Sequence, residues 1–483
     1  MALVSENLNI ETSLKKDFKV IREDSSGFIR KFDMEHLWDQ ILFGLHDILK
    51  KNKADTISAI SSCAQRIAMV FIDEGGEVIY GGPNNDTRGI DIDYIIEDEF
   101  TEEELYEITG HGPSLLFGLA RLLWFKEEKE ELYEKIDKVL TLDDWLAYKL
   151  SGNLFSDYSS AADTQFFDIK KGKWSEEIIE IFDLDPEFFP MIIYPGNQIG
   201  YLKNELISKL NLKPSKIPII KSGGDTQANL VGMGAIHEND IGISLGTTAP
   251  LHLVIKEPFL DDRGNFWATY HSIKGKYLIE ANTGQTGKVY NWFKEGFFKG
   301  NTLKPDQLID KYISEIEPGS DSTFAFLGPQ RMNVMNQETI QRGFFVFNSP
   351  SMILEKLPTL QHFSKALLEN IAFGIHENHT ELNEIASAKT ITYCSGGMAK
   401  SSEFCQMLAD ILNTELFVPV QRDAAFIGAA IQSLIGLRIY DSYESLMEEK
   451  LLFDQFKPQE ENVNIYKNIY NEWKNLKMKV DDI

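Results

Sequence analysis

SGGDTQANLVGMGAIHENDIGISLGTTAP, residues 222–250, decides the reading of the chain. An apolar run, Ile217–Ile220, leads into Gly223, Gly224 and Asp225. A second run, Ile241–Leu245, leads into Gly246, Thr247 and Thr248. Short apolar runs bounded by glycine read as buried strands. Between them, Thr226–Ala235 has helical spacing and many small residues. Strand, glycine turn, helix and strand in that order describe an α/β chain, where ligands collect beyond strand ends.

Asp225 has two readings. A carboxylate at a strand end, behind glycines that permit close approach, can take a proton from a substrate hydroxyl. It is equally a helix N-cap. The Gly246–Thr248 bend is either a hairpin turn or a phosphate cradle of N–H groups and hydroxyls.

Working outward, the same grammar recurs. Glu35–Lys50, Leu115–Phe125, Asp143–Leu150, Gln361–His376, Ser402–Leu412 and Asp423–Leu437 have helical patterns, and the last is small-residue and closely packed. Ile57–Ser62, Met69–Ile72, Leu251–Ile255, Ile391–Cys394 and Glu415–Pro419 read as strands, with a hairpin turn at Asp73–Val78. Gly396-Gly397, before a helix near Ser401, makes a third strand–glycine–helix junction whose free N–H groups suit a nucleotide. It is otherwise a tight loop. Gln65-Arg66 and Asn85–Arg88, which includes Asp86, mix amide, carboxylate and guanidinium groups. That mixture suits a polyol, and also a solvated loop. His376 and His379 do not form HExxH and read as a solvated helix end. The acidic run 98–104 reads as a solvated loop and helix start. A boundary near residues 237–240 divides the chain into halves, 1–237 and 238–483.

The chain has 483 residues, 43% of them hydrophobic, enough for two or three domains. Its 74 acidic and 48 basic residues give a formal charge of −26, which argues against nucleic acid and anionic membrane as partners. A local anion site remains compatible with that field. Three cysteines, Cys63, Cys394 and Cys405, without CxxC, suggest a reduced, cytoplasmic protein. No apolar stretch is long enough for a membrane span.

Taken in register, SSCAQRIAMVFIDEGGEVIY, NNDTRG, LTLDDWLAYKLSGN with DYSSAADT, SGGDTQANLVGMGA, SLGTTAP, NTGQTGKVYNWF and SGGMAKSSEFCQMLADIL with DAAFIGAAI resemble the FGGY carbohydrate kinases. The resemblance runs from about residue 8 onward. NNDTRG, the Gln65-Arg66 pair and GPQRMNV (328–334) resemble autoinducer kinases and xylulokinase-like members most. It implies two ribonuclease H-like (actin-like ATPase) domains with an interdomain cleft, ATP and Mg²⁺, and a small sugar or polyol substrate. A homodimer is compatible with it. By the resemblance, Asp225 is the general base. Gln65, Arg66, Asp86 and Thr226 hold the substrate, with Arg88 close by. Gly246, Thr247 and Thr248 form a phosphate motif. Gly287 and Asn291 contact nucleotide, and Gly396, Gly397 and Ser401 form the adenosine motif. Phosphoryl transfer would need the base and the cradle to face each other.

Two departures matter. Ile67 stands where some members have Glu, so one sugar contact is missing. The resemblance also implies an opening strand, a D-x-G-T phosphate turn and a second strand, yet the first glycine is Gly27 and the first aspartate Asp17. The first domain is therefore expected to be N-terminally incomplete. Either the first methionine is an internal one of a longer kinase, or the chain is a degenerate kinase that binds sugar or nucleotide without turnover.

Overall fold

The structure is a computed structural model; it describes residues 1–25, 27–51, 57–212, 216–299, 304–332, 342–349 and 357–481. Residues 333 and 334, the end of GPQRMNV, lie outside the described residues. The described chain forms two compact units. The first takes residues 1–236, 255–278 and 423–451, and the second takes 237–254, 279–422 and 452–483.

The first unit opens with a hairpin, in which Ala2–Val4 pairs antiparallel with Ile10–Ser13. Its strand Pro218–Gly224 runs between Gln198–Tyr201, antiparallel, and Ile60–Ala64, parallel. Ser62 lies opposite Lys221, and Ala64 opposite Gly224. The strand thus continues through both glycines instead of ending before them. A second sheet places Met69–Ile72 between Val78–Gly82 and Lys138–Thr141. All four residues of Met69–Ile72 are buried, which is why that run lacks polar alternation.

The helix Met34–Lys51 buries a stripe that includes Leu42 and Leu49 against Leu150, Leu206 and Ile219. Ala424–Gly436 packs on Asp225–Met233 at backbone distance: a Cβ on Gly428 would stand 1.7 Å from the Ala228 carbonyl oxygen, and one on Gly232 would stand 1.8 Å from that of Ala424. Close packing of this kind explains the small residues of both helices.

In the second unit, Asp240–Leu245 pairs antiparallel with Pro250–Ile255 and parallel with Ile391–Gly396. Leu416–Pro419 and then Phe453–Phe456 extend the sheet beyond Ile391–Gly396. Leu245 lies opposite Gly396, so the 246–248 bend and the 397–401 loop leave the same end of two neighbouring parallel strands.

One expectation is corrected here. The helix at 360 runs on to Ile385, so His376 and His379 are within it and not at a solvated end. His379 is buried and bonded to the Thr392 hydroxyl at 3.0 Å, and His376 lies edge-on to Tyr470. Apolar residues Leu382 and Ile385 carry the helix past the point where polar residues suggested an end.

Candidate functional site

Asp225 begins the helix Asp225–Met233, and Gly224 occupies the cap position. Two glycines are needed for the approach. Gly223 has φ +78°, and a Cβ there would stand 2.2 Å from Ser159 Oγ. A Cβ on Gly224 would stand 2.5 Å from Gln227 Oε1 and 3.0 Å from Arg66 Cγ. Glycine is what lets Arg66 lie against this turn.

The Asp225 carboxylate accepts hydrogen bonds from the backbone N–H groups of Thr226 and Arg66. Burial pushes its carboxyl above the ordinary carboxylate range; the Arg66 guanidinium and those two N–H groups pull it back without cancelling the rise. Arg66 Nη1 is itself paired with Asp163 Oδ2 at 3.2 Å. Asp163 is buried, which alone would raise it. The Arg66 charge, His111 and the Thr269 hydroxyl outweigh burial and hold it below the usual range. His111 Nε2 lies 3.2 Å from Asp163 Oδ1, and Thr269 Oγ1 donates to that oxygen at 2.7 Å. One carboxyl with a raised pKa and one with a lowered pKa therefore share Arg66. Asymmetry of this kind suits a base beside a fixed charge.

The other substrate candidates divide. Gln65 is exposed at the turn after Ile60–Ala64, and its Oε1 accepts the Asn84 N–H at 3.4 Å. Thr226 is half-buried beside Asp225. Asp86 is fully enclosed: it accepts the Arg30 N–H at 2.8 Å, the Tyr80 hydroxyl, and Arg88 Nε at 2.6 Å. Arg88 is buried too, donating to Glu23 and to the Arg30 carbonyl, with its guanidinium 4.2 Å above the Tyr80 ring. These two form an internal ion pair that shapes the loop.

Sequence reading missed Arg121, the one charged residue within 115–125. It is buried, and it donates to the carbonyls of Ile67 at 2.8 Å, Asp86 at 3.0 Å, Asn84 at 3.3 Å and Leu116 at 2.8 Å. It ties the Gln65–Ile67 turn to the Asn84–Asp86 loop. Its enclosure is visible only in three dimensions.

A second missed group lies below the Asp225 turn. Lys221 is buried among three carboxylates, donating to Asp143 and, at 2.7 Å, to Asp144, with Asp157 at 3.3 Å. Burial pushes Asp143 up to about 7 despite the Lys221 charge. Among the described residues this is the one carboxylate cluster with metal-ligand spacing. Its centre is filled by the lysine ammonium, so it does not fit a magnesium ion.

In the second unit a pocket of about 450 Å³ collects Gly246, Thr247, Gly287, Asn291, Gly397 and Ser401. Thr248 and Gly396 do not line it. Gly287, which starts the helix Gly287–Phe297, is pressed onto the bend: a Cβ there would stand 2.1 Å from the Gly246 carbonyl oxygen. The Lys288 N–H donates to the Thr247 carbonyl at 3.0 Å, which locks helix and bend together. Gly396, at φ +108°, serves behind the pocket, where a Cβ would stand 2.5 Å from the Leu245 carbonyl oxygen. Asp306 and Asp310 also line the pocket. Lys294 at 2.8 Å and the Tyr290 hydroxyl at 2.9 Å both donate to Asp306. The volume, the exposed glycine bend and the adjoining helix start suit a phosphate-bearing ligand.

No helix among the described residues is long and apolar enough to cross a membrane. Residues 1–232 match the N-terminal domain of the FGGY family of carbohydrate kinases, and residues 241–437 match its C-terminal domain. The YoaC protein of Bacillus subtilis (strain 168) is 32% identical over 435 residues, covering 89% of this chain and 86% of that protein. Autoinducer-2 kinase of Salmonella typhimurium is 26% identical over 458 residues, covering 92% of this chain and 85% of its own. The crystal structure of xylulose kinase from Lactobacillus acidophilus superposes with a TM-score of 0.85 at 20% identity, covering 99% of this chain and 95% of that one. With both domains matched and the fold shared, this chain belongs to the FGGY family of carbohydrate kinases.

Proposed function

We propose that the chain transfers the terminal phosphoryl group of ATP to a hydroxyl of a small sugar or polyol, with Asp225 as general base. The observation that carries the reading is Asp225 itself: a carboxylate at a glycine-cleared strand end, fixed by two N–H groups and raised by burial. A base so raised is better matched to a proton transfer near neutral pH than an ordinary aspartate. Gln65, Arg66 and Thr226 present the polar groups that hold the acceptor, while Asp86, Arg88 and Arg121 keep their loops in place. The xylulose kinase likeness favours a ketose-like acceptor.

ATP would occupy the second unit's pocket, with its phosphates at Gly246 and Thr247 and against the start of the helix at Gly287. Magnesium would arrive on those phosphates and neutralise charge developing there. Asp225 would take the hydroxyl proton as the oxygen bonds to phosphorus, and ADP would leave. A coupled assay of ADP release over a panel of ketoses and polyols, with ATP and Mg²⁺, tests this. Turnover with at least one acceptor is expected. Sugar and nucleotide binding without turnover would instead support a non-catalytic binding protein.

A further inference from the structure

Gly223 and Gly224 leave room for Arg66, but successive glycines also give a chain its greatest backbone freedom. Asp225 follows them directly, so its carboxylate is aimed only as well as that stretch is held. The hold comes from another segment. Asp157 caps the helix Tyr158–Ala162: its Oδ1 accepts the Ser159 N–H at 2.9 Å, the Ser160 N–H at 3.1 Å and the Ser159 hydroxyl at 2.5 Å. Its Oδ2 lies 3.3 Å from Lys221 Nζ. Ser159 Oγ in turn accepts the Gly224 N–H at 3.3 Å. Lys221 and Gly224 belong to one strand, so Asp157 and Ser159 grip it at both ends of the stretch that carries the glycines. All four residues are buried, which keeps water from competing for the Ser159 oxygen. Its single proton goes to Asp157, so toward Gly224 it can only accept, and the Gly224 peptide is held with its N–H facing inward. Capping needs the two N–H groups alone. The Ser159 hydroxyl serves a segment 65 residues away.

We propose that Ser159 is a positioning residue for Asp225, fixing the Gly224 peptide so that the carboxylate meets the acceptor hydroxyl in line for proton transfer. This rests on the reading of Asp225 as the general base. Ser159 acts through the backbone, and its anchor is the Asp157 carboxylate beside Lys221. Ser159→Ala leaves Asp157 both of its helix N–H groups and its lysine, so the bracket loses only its end at Gly224. A displacement of about 1 Å in a reacting group can cost ~10²-fold in rate. The loss should fall on the proton-transfer step and spare sugar binding.

A double-mutant cycle on the full chain tests the proposal, with parent, Ser159→Ala, Asp225→Asn and the double variant. The acceptor is the ketose that the parent turns over fastest, and radiolabelled ATP keeps the slow variants measurable. In Ser159→Ala, kcat should fall about ten- to a hundredfold while calorimetric affinity for that ketose stays within about threefold of the parent. Once Asp225 is Asn there is no base left to position, so adding Ser159→Ala should change the residual rate by less than about twofold. A general structural role would lower the rate in both backgrounds alike. The inference is overturned if Ser159→Ala keeps the parental kcat, if ketose affinity falls as far as kcat, or if the loss repeats in full on Asp225→Asn. In each of those cases the base reading stands provided Asp225→Asn alone is slow. An Asp225→Asn variant as fast as the parent overturns the base reading, and this inference with it.

Discussion

Replacing Lys221 by Met tests the foundation of the Asp225 turn. Lys221 lies four residues before Asp225, on the strand that leads into it, and its ammonium is shared by Asp143, Asp144 and Asp157. All four side chains are buried, so none can turn to water for compensation. Removing one partner of a buried ion pair costs ~3–5 kcal/mol, because the other charge is left stranded. With ~4 kcal/mol and ~2 °C per kcal/mol for a large unit, the melting temperature should fall by about 8 °C at neutral pH. The deficit should depend on pH in a defined direction. Burial already holds Asp143 near 7 in the folded chain, above its unfolded value. Its favourable contribution is full below about pH 4 and is lost as pH rises through about 7. Without Lys221, Asp143 and Asp144 rise further, and each extra proton held by the folded state adds a slope of ~1.4 kcal/mol per pH unit. Lys221→Met should therefore be much closer to the parent at pH 5 than at pH 8. Differential scanning calorimetry at both values reads the effect. A variant melting within about 2 °C of the parent, or one with equal deficits at pH 5 and pH 8, would refute the reasoning.

Other predictions follow from the same geometry. Gly223→Ala meets Ser159 Oγ and Asp157 Oδ1 in a left-handed position, and should cost ~1–3 kcal/mol in urea unfolding while cutting turnover. Arg66→Met removes the charge that restrains the rise of Asp225, so the acid limb of the kcat/KM profile should move to higher pH; an unmoved limb would exclude Asp225 as the titrating base. Asp86→Asn should lower stability by ~1–3 kcal/mol, as a buried hydrogen-bonded carboxylate does, yet change the sugar KM by less than about threefold.

What the sequence made legible was local. Glycine pairs before Asp225 and at 396–397 announced places where backbone must turn or be approached, and the small residues of 424–436 announced close helix packing. Such constraints act between chain neighbours or on a helix face, so they leave a pattern in the string. Arg66, Asp163, His111 and Thr269 meet from distant stretches, and nothing in the spacing of His111 or Thr269 marks them as partners. Asp86 and Arg88 stand in the string as polar loop residues suited to a polyol, and nothing in it shows that they are buried and bonded to each other. Lys221 follows the apolar run 217–220 with nothing beside it in the string to mark it, because its three carboxylates lie 64 to 78 positions upstream.

Asp225→Asn bears most directly on the proposed chemistry. The substitution keeps the shape of the side chain and removes its basicity. ADP release and calorimetric sugar binding should be measured on the same preparation. Turnover should fall by about 10²–10⁴-fold, the usual contribution of a general base, while sugar affinity changes by less than about threefold. A variant that phosphorylates its sugar at the parental rate would contradict the assignment.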